Sequence, residues 1–121
     1  MKIERFEDIQ AWQKWRELTN KIYEITRSEA FNKDRWLRDQ IRRASVSIVS
    51  NIAEWFERNT DKEFKQFLYI AKWSCAEVRS QLYIIYDQWY IQEKDFINIS
   101  NLCIEISKMI SKFITYLHQT T

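Results

Sequence analysis

Apolar side chains recur at three- and four-residue spacing in four stretches of the chain, and polar residues fill the positions between them. That period is the signature of helices that each bury one face. The first stretch runs from about Glu7 to Arg27, with Ala11, Trp15, Leu18, Ile22 and Ile25 in line. Ser28 to Asn32 breaks the pattern. The second runs from about Lys33 to Arg58, where Asn32 is placed to cap the first turn and Leu37, Ile41, Ala44, Ile48, Ile52 and Trp55 form the apolar stripe. Thr60-Asp61-Lys62-Glu63 fits a capping box and starts a third stretch, to about Gln88, whose stripe is Phe64, Leu68, Ala71, Cys75, Val78, Leu82 and Ile85. The fourth, from about Gln92 to His118, carries a wider stripe of Phe96, Ile99, Leu102, Cys103, Ile106, Met109, Ile110, Phe113 and Leu117. Helices of this length are on the order of 30 to 40 Å long, and links of a few residues force neighbours to be antiparallel. The expected fold is all-α: a single-domain antiparallel up-down-up-down four-helix bundle.

Residues that point away from each stripe should be polar, and several are not. Tyr69, Trp73 and Ile84 lie opposite the core stripe of the third helix, Ile97 and Ile104 face outward on the fourth, and Val46, Val49 and Ala53 do so on the second. Outward apolar residues on three of four helices predict self-association, with Tyr69, Trp73, Ile84, Ile97 and Ile104 as the interface. The outer face of the second helix begins with Arg35, Arg38 and Arg42, with Arg43 beside them. A row at i, i+3 and i+7 aims three guanidiniums one way, as phosphate contact requires. Asp34 and Asp39 stand close enough to neutralise part of it, so an ion-pair face is the competing reading.

Composition sharpens this picture. In 121 residues there is no Gly and no Pro, where average usage gives roughly eight and six. Turns that need positive φ have lost their default residue, which argues against sandwiches, barrels, dinucleotide-binding folds and glycine-rich phosphate loops. The same zero counts suggest an edited sequence. The net charge of +2 is too small to make the whole surface a polyanion binder, so any basic patch is local. No run of eighteen apolar residues exists and Met1 to Phe6 lacks the apolar stretch of a signal peptide, which reads as a cytoplasmic protein off the membrane.

Catalytic ingredients are scarce. His118 is the one histidine, in the last helical turn, and Cys75 and Cys103, 28 residues apart on apolar faces, are expected to be buried, reduced and unable to form a closed zinc site. Glu54 and Glu77 sit between apolar positions and are candidates for partly buried carboxylates paired with Arg42, Arg43 or Arg79. The Glu-x-x-His motifs of bundle di-metal sites are missing from the sequence. The expectation is a protein that is not an enzyme and needs no cofactor or metal.

The second helix reads Asp39-Gln40-Ile41-Arg42-Arg43-Ala44-Ser45-Val46-Ser47-Ile48-Val49-Ser50-Asn51-Ile52-Ala53-Glu54, followed by Glu63-Phe64 and Phe67-Leu68-Tyr69-Ile70-Ala71. Together with Phe6-Glu7-Asp8-Ile9 and Trp12-Gln13-Lys14, this resembles the bacterial four-helix-bundle proteins encoded in intervening sequences of 23S ribosomal RNA. That family is similar to the accessory variability proteins of diversity-generating retroelements. The resemblance implies a bundle that closes into a homopentameric ring with a basic surface, which in the retroelement branch binds nucleic acid and a reverse transcriptase. Members typically carry Gly where this chain has Trp36, Trp55, Trp73 and Trp89, Gly where it has Glu57, and often Pro where it has Val49. Four such tryptophans read as an engineered, Gly- and Pro-free variant. Two functions follow: an oligomeric bundle that binds RNA, DNA or a partner protein through Arg35, Arg38, Arg42 and Arg43, or a redesigned scaffold with no selected ligand. Trp55 lies on the core stripe and is expected to be buried, with Trp73 outside it.

Overall fold

The computed structural model describes residues 4–58 and 61–120, the side chains of residues 55, 58, 61, 62 and 117–120 excepted. The capping box at Thr60, the burial of Trp55 and the surroundings of Leu117 and His118 therefore lie outside the described residues. A single 3-10 turn, Phe6–Asp8, precedes α1 (Gln10–Ile25), the one-turn α2 (Glu29–Asn32), α3 (Arg35–Arg58), α4 (Asp61–Asp87) and α5 (Glu93–Thr120). The four long helices pack in chain order, α1 on α3, α3 on α4, α4 on α5, and α5 closes back onto α1. This is the expected all-α bundle, and no strand occurs among the described residues.

The stripes meet in one core. Trp15, Leu18 and Ile22 of α1, Ile41, Ile48 and Ile52 of α3, Leu68, Cys75, Val78 and Leu82 of α4, and Ile99, Cys103, Ile106 and Ile110 of α5 are all buried. Ile25, Ala44, Phe96, Met109 and Phe113 lie at its margin, half-buried, because they stand at the edges of their stripes. Both cysteines are free thiols inside this core, as expected. Burial raises the pKa of Cys75 well above the ordinary thiol range and pushes that of Cys103 up to about 12.

Two indoles of α1 fasten it to α3. Trp15 donates its Nε1–H to the carbonyl of Ser45 at 2.8 Å, and Trp12 donates to the carbonyl of Val49 at 3.2 Å. A buried indole N–H without an acceptor would cost about 1 to 3 kcal/mol, so these bonds fix the register of the two helices. Val49, expected to face outward, is half-buried against the core, and its carbonyl is the acceptor for Trp12. Ala53 is half-buried too.

At one end of the bundle the expected break between α1 and α3 is itself structured. Ser28 caps α2 by accepting from the Phe31 amide at 3.3 Å, and the Phe31 ring is fully buried. The cap of α3 is Asp34 rather than Asn32: its Oδ1 accepts from the Leu37 amide at 3.2 Å, which places the helix start at Arg35. Its Oδ2 accepts from the Tyr90 hydroxyl at 3.2 Å, and the rings of Phe31 and Tyr90 meet at 4.9 Å. That clasp joins the α1–α3 connection to the α4–α5 connection.

The second connection has no glycine and manages without one. Trp89 adopts φ 65°, the left-handed region. The Tyr90 amide donates to the Ile85 carbonyl at 3.2 Å and the Trp89 amide to the Tyr86 carbonyl at 3.0 Å, the paired bonds of a Schellman motif with Trp89 in the position glycine favours. The residue is 90% exposed.

Candidate nucleic-acid interface

The four arginines lie on the first two turns of α3 and just beyond, where the helix begins beside the α1 C-terminus. Helical phase places Arg35, Arg38 and Arg42 on one face, but their side chains do not share one fate. Arg35 and Arg43 are exposed, and neither forms a hydrogen bond or ion pair among the described residues. Arg38 folds back, with Nε on Asp39 Oδ1 at 3.0 Å and Nη1 on Asn32 Oδ1, and only 19% of its side chain remains exposed. Arg42 crosses to α1. Its Nε donates to Thr26 Oγ1 at 2.7 Å, and its guanidinium lies over the Tyr23 ring at 4.7 Å from the centroid.

The Arg42 arrangement is built rather than incidental. Thr26 is fully buried, and its hydroxyl donates to the Ile22 carbonyl at 2.8 Å while it accepts from Arg42. The hydroxyl thus adds a second bond to a carbonyl that already accepts from the Thr26 amide, and orients a cation at the α1 C-terminus, where the negative end of the helix dipole favours one. A cation stacked on an aromatic face keeps its outer edge free for an anion, with its rotamers already restricted. Arg42, Arg43, Tyr23, Asp39, Val46 and Ser47 line an open hollow of about 480 Å³. Its cations and the Ser47 hydroxyl suit a phosphate, and Asp39 limits how many charges it can take.

The row expected from the sequence is therefore corrected in part. Arg38 is taken up by Asn32 and Asp39 and Arg42 by Thr26 and Tyr23, with Arg35 and Arg43 exposed. Tyr23 and Thr26, at the end of α1, hold Arg42 and were not anticipated. Their signal in the sequence is only that both stand in the last turn or so of α1, with no pattern linking them to Arg42.

Of the residues expected to form an oligomer interface, Tyr69, Trp73, Ile84 and Ile97 are exposed, and Trp73 is 79% so. Ile104 is half-buried, because α5 packs against both α1 and α4 and so buries a wider arc than one stripe. Glu54 and Glu77 are exposed, so the expectation of partly buried carboxylates does not hold. Trp36, next to Arg35, is 71% exposed. Among the described residues no three or more His, Cys, Asp or Glu side chains gather as metal ligands, and no helix is long and apolar enough to cross a membrane.

Against known families, residues 7–112 match the model described as 23S rRNA-intervening sequence protein. No curated protein matches the chain. The match runs through the positions of Trp36, Trp55, Trp73 and Trp89 and lends no support to an engineered origin.

Proposed function

Because the chain belongs to the 23S rRNA-intervening sequence protein family, we propose that it is a non-catalytic, homo-oligomeric bundle, a pentamer, that binds nucleic acid through the arginine face at the start of α3. The observation that carries this reading is the Arg42 guanidinium, held by a buried hydroxyl and stacked on Tyr23 beside the exposed Arg35 and Arg43. Side chains that serve only solubility need no such fixing. An oligomer repeats the three cations on every copy, which raises avidity for a polyanion without new contacts in any one copy.

Binding of a fluorescent RNA oligonucleotide, followed by anisotropy between about 50 and 200 mM salt, tests the reading. Affinity should fall steeply as released counterions are opposed. In the Arg35→Glu/Arg43→Glu variant the slope of log affinity against log salt should fall by about 1.4 to 1.8 units for each chain engaged. Helicity should be unchanged, since neither side chain touches the core. Binding of the variant equal to that of the parent refutes the site, and no binding by the parent at 50 mM salt refutes the function.

A further inference from the structure

We infer that self-association is head to tail: the aromatic groove of α4 on one copy receives the acidic outer ridge of α3 on the next. This inference rests on the homo-oligomeric reading and adds the two faces that meet.

Five large apolar side chains of α4, Tyr69, Ile70, Trp73, Tyr83 and Ile84, are half or more exposed. At about 150 to 250 Å² for a whole aromatic side chain, they leave on the order of 500 Å² of surface in water. Tyr83 and Ile84 stand almost three turns beyond Trp73, with exposed Glu77 and Ser80 between, so this area is spread along one face of α4, and its sum is more than half of the roughly 800 Å² that a stable interface buries on each partner. Around Tyr69, Ile70 and Trp73 the surface sinks into a groove of about 560 Å³ whose other wall includes Ser107 of α5. Its charged lining is cationic, from Lys72 and Arg79. These stand seven residues apart, about two helical turns, on the side of α4 that faces α5.

A second groove laid on the first would bring cations against cations, so a two-fold contact through this face is disfavoured. The complementary charge lies elsewhere on the same chain. Along the outer side of α3, Val46, Ser50, Glu54 and Glu57 are exposed within about three turns of helix. That ridge offers an apolar residue and a short side chain to an aromatic groove, and two carboxylates to Lys72 and Arg79. Its first residue, Val46, also lines the hollow beside Arg42 and Arg43, so the contact adjoins the arginine face. Because groove and ridge occupy different sides of the bundle, each copy uses both and the contact is heterologous, the kind that propagates until a ring closes.

Charge exchange within one chain tests this. Sedimentation velocity of the parent should give a multiple of the 15.0 kDa chain. Lys72→Glu/Arg79→Glu makes both faces acidic and Glu54→Lys/Glu57→Lys makes both basic, so each double variant should sediment as a monomer with its helical circular dichroism retained. Combining all four substitutions restores opposite charges across the contact, and the multimer should return. A parent that is monomeric at micromolar concentration refutes self-association itself. A multimeric parent whose double variants stay multimeric, or whose fourfold variant is helical yet monomeric, overturns the head-to-tail assignment and leaves self-association standing.

Discussion

Replacing Trp89 separates backbone strain from side-chain packing, and the two can be weighed in advance. A residue with a Cβ at φ 65° costs roughly 1 to 2 kcal/mol relative to its right-handed form. With 90% of the residue exposed, the indole buries on the order of 20 Å², worth about 0.5 kcal/mol at ~25 cal/mol per Å². Trp89→Ala forfeits that 0.5 kcal/mol and keeps the strain. Trp89→Gly forfeits it too, but relieves the strain and gives back about 0.5 to 1 kcal/mol through the freer unfolded chain. The glycine variant should therefore exceed the alanine variant by roughly 0.5 to 1 kcal/mol, a few degrees in Tm for a chain of this size. At Ser80, an exposed position inside α4, the order should reverse, with alanine better than glycine by about 1 kcal/mol. Urea denaturation of the four variants at one protein concentration measures both differences. An alanine variant at 89 as stable as the glycine variant would mean that the left-handed turn is not formed there.

The two indole bonds of α1 should be unequal. Trp15→Phe leaves the buried Ser45 carbonyl short of its best donor and should cost about 1 to 3 kcal/mol by urea midpoint, and Trp12→Phe less, since that bond is longer and partly exposed. Asp34→Ala removes the α3 cap together with the acceptor for Tyr90 and should cost about 1 to 2 kcal/mol, whereas Tyr90→Phe, which spares the cap, should cost less in the same assay. The thiols predict an alkaline slope. Cys75 and Cys103 keep their protons in the fold, Cys103 up to about 12, while unfolded thiols ionise near pH ~8.5. The folded state then binds more protons than the unfolded one, so this contribution is complete below about pH 8.5 and is lost as pH rises towards 12. A Cys75→Ala/Cys103→Ala variant should show a shallower fall in urea midpoint between pH 7.5 and 10.5, and an identical fall would refute buried thiols.

The four long helices were legible because each buries a face wide enough to impose its period over many turns. What periodicity could not show are features that depend on a second element. Phe31 fills the core from a helix of one turn, too short to have a period. Asp34 and not Asn32 caps α3 because Asn32 is the last residue of α2, and Asp34 is tied as well to Tyr90, 56 residues away along the chain. Val49 is outward by its phase on α3 yet half-buried, with α1 packed close enough for Trp12 to bond its carbonyl. The arginine row was found by phase as well, yet phase fixes only where a side chain leaves the helix. Whether its guanidinium reaches solvent is decided at its far end, by Asn32 and Asp39 for Arg38 and by Tyr23 and Thr26 for Arg42.

The Phe31–Tyr90–Asp34 clasp also bears on how the chain acquires its fold. Helices α1 and α3 form one hairpin and α4 and α5 another, each from neighbouring segments that find one another quickly. The clasp is made between the bends of the two hairpins, so it exists only after they have docked side by side. A contact between residues 56 apart along the chain is expected to form late, so it slows the hairpins' separation more than it speeds their meeting. Weakening it with Tyr90→Phe should therefore raise the unfolding rate and leave the refolding rate almost unchanged.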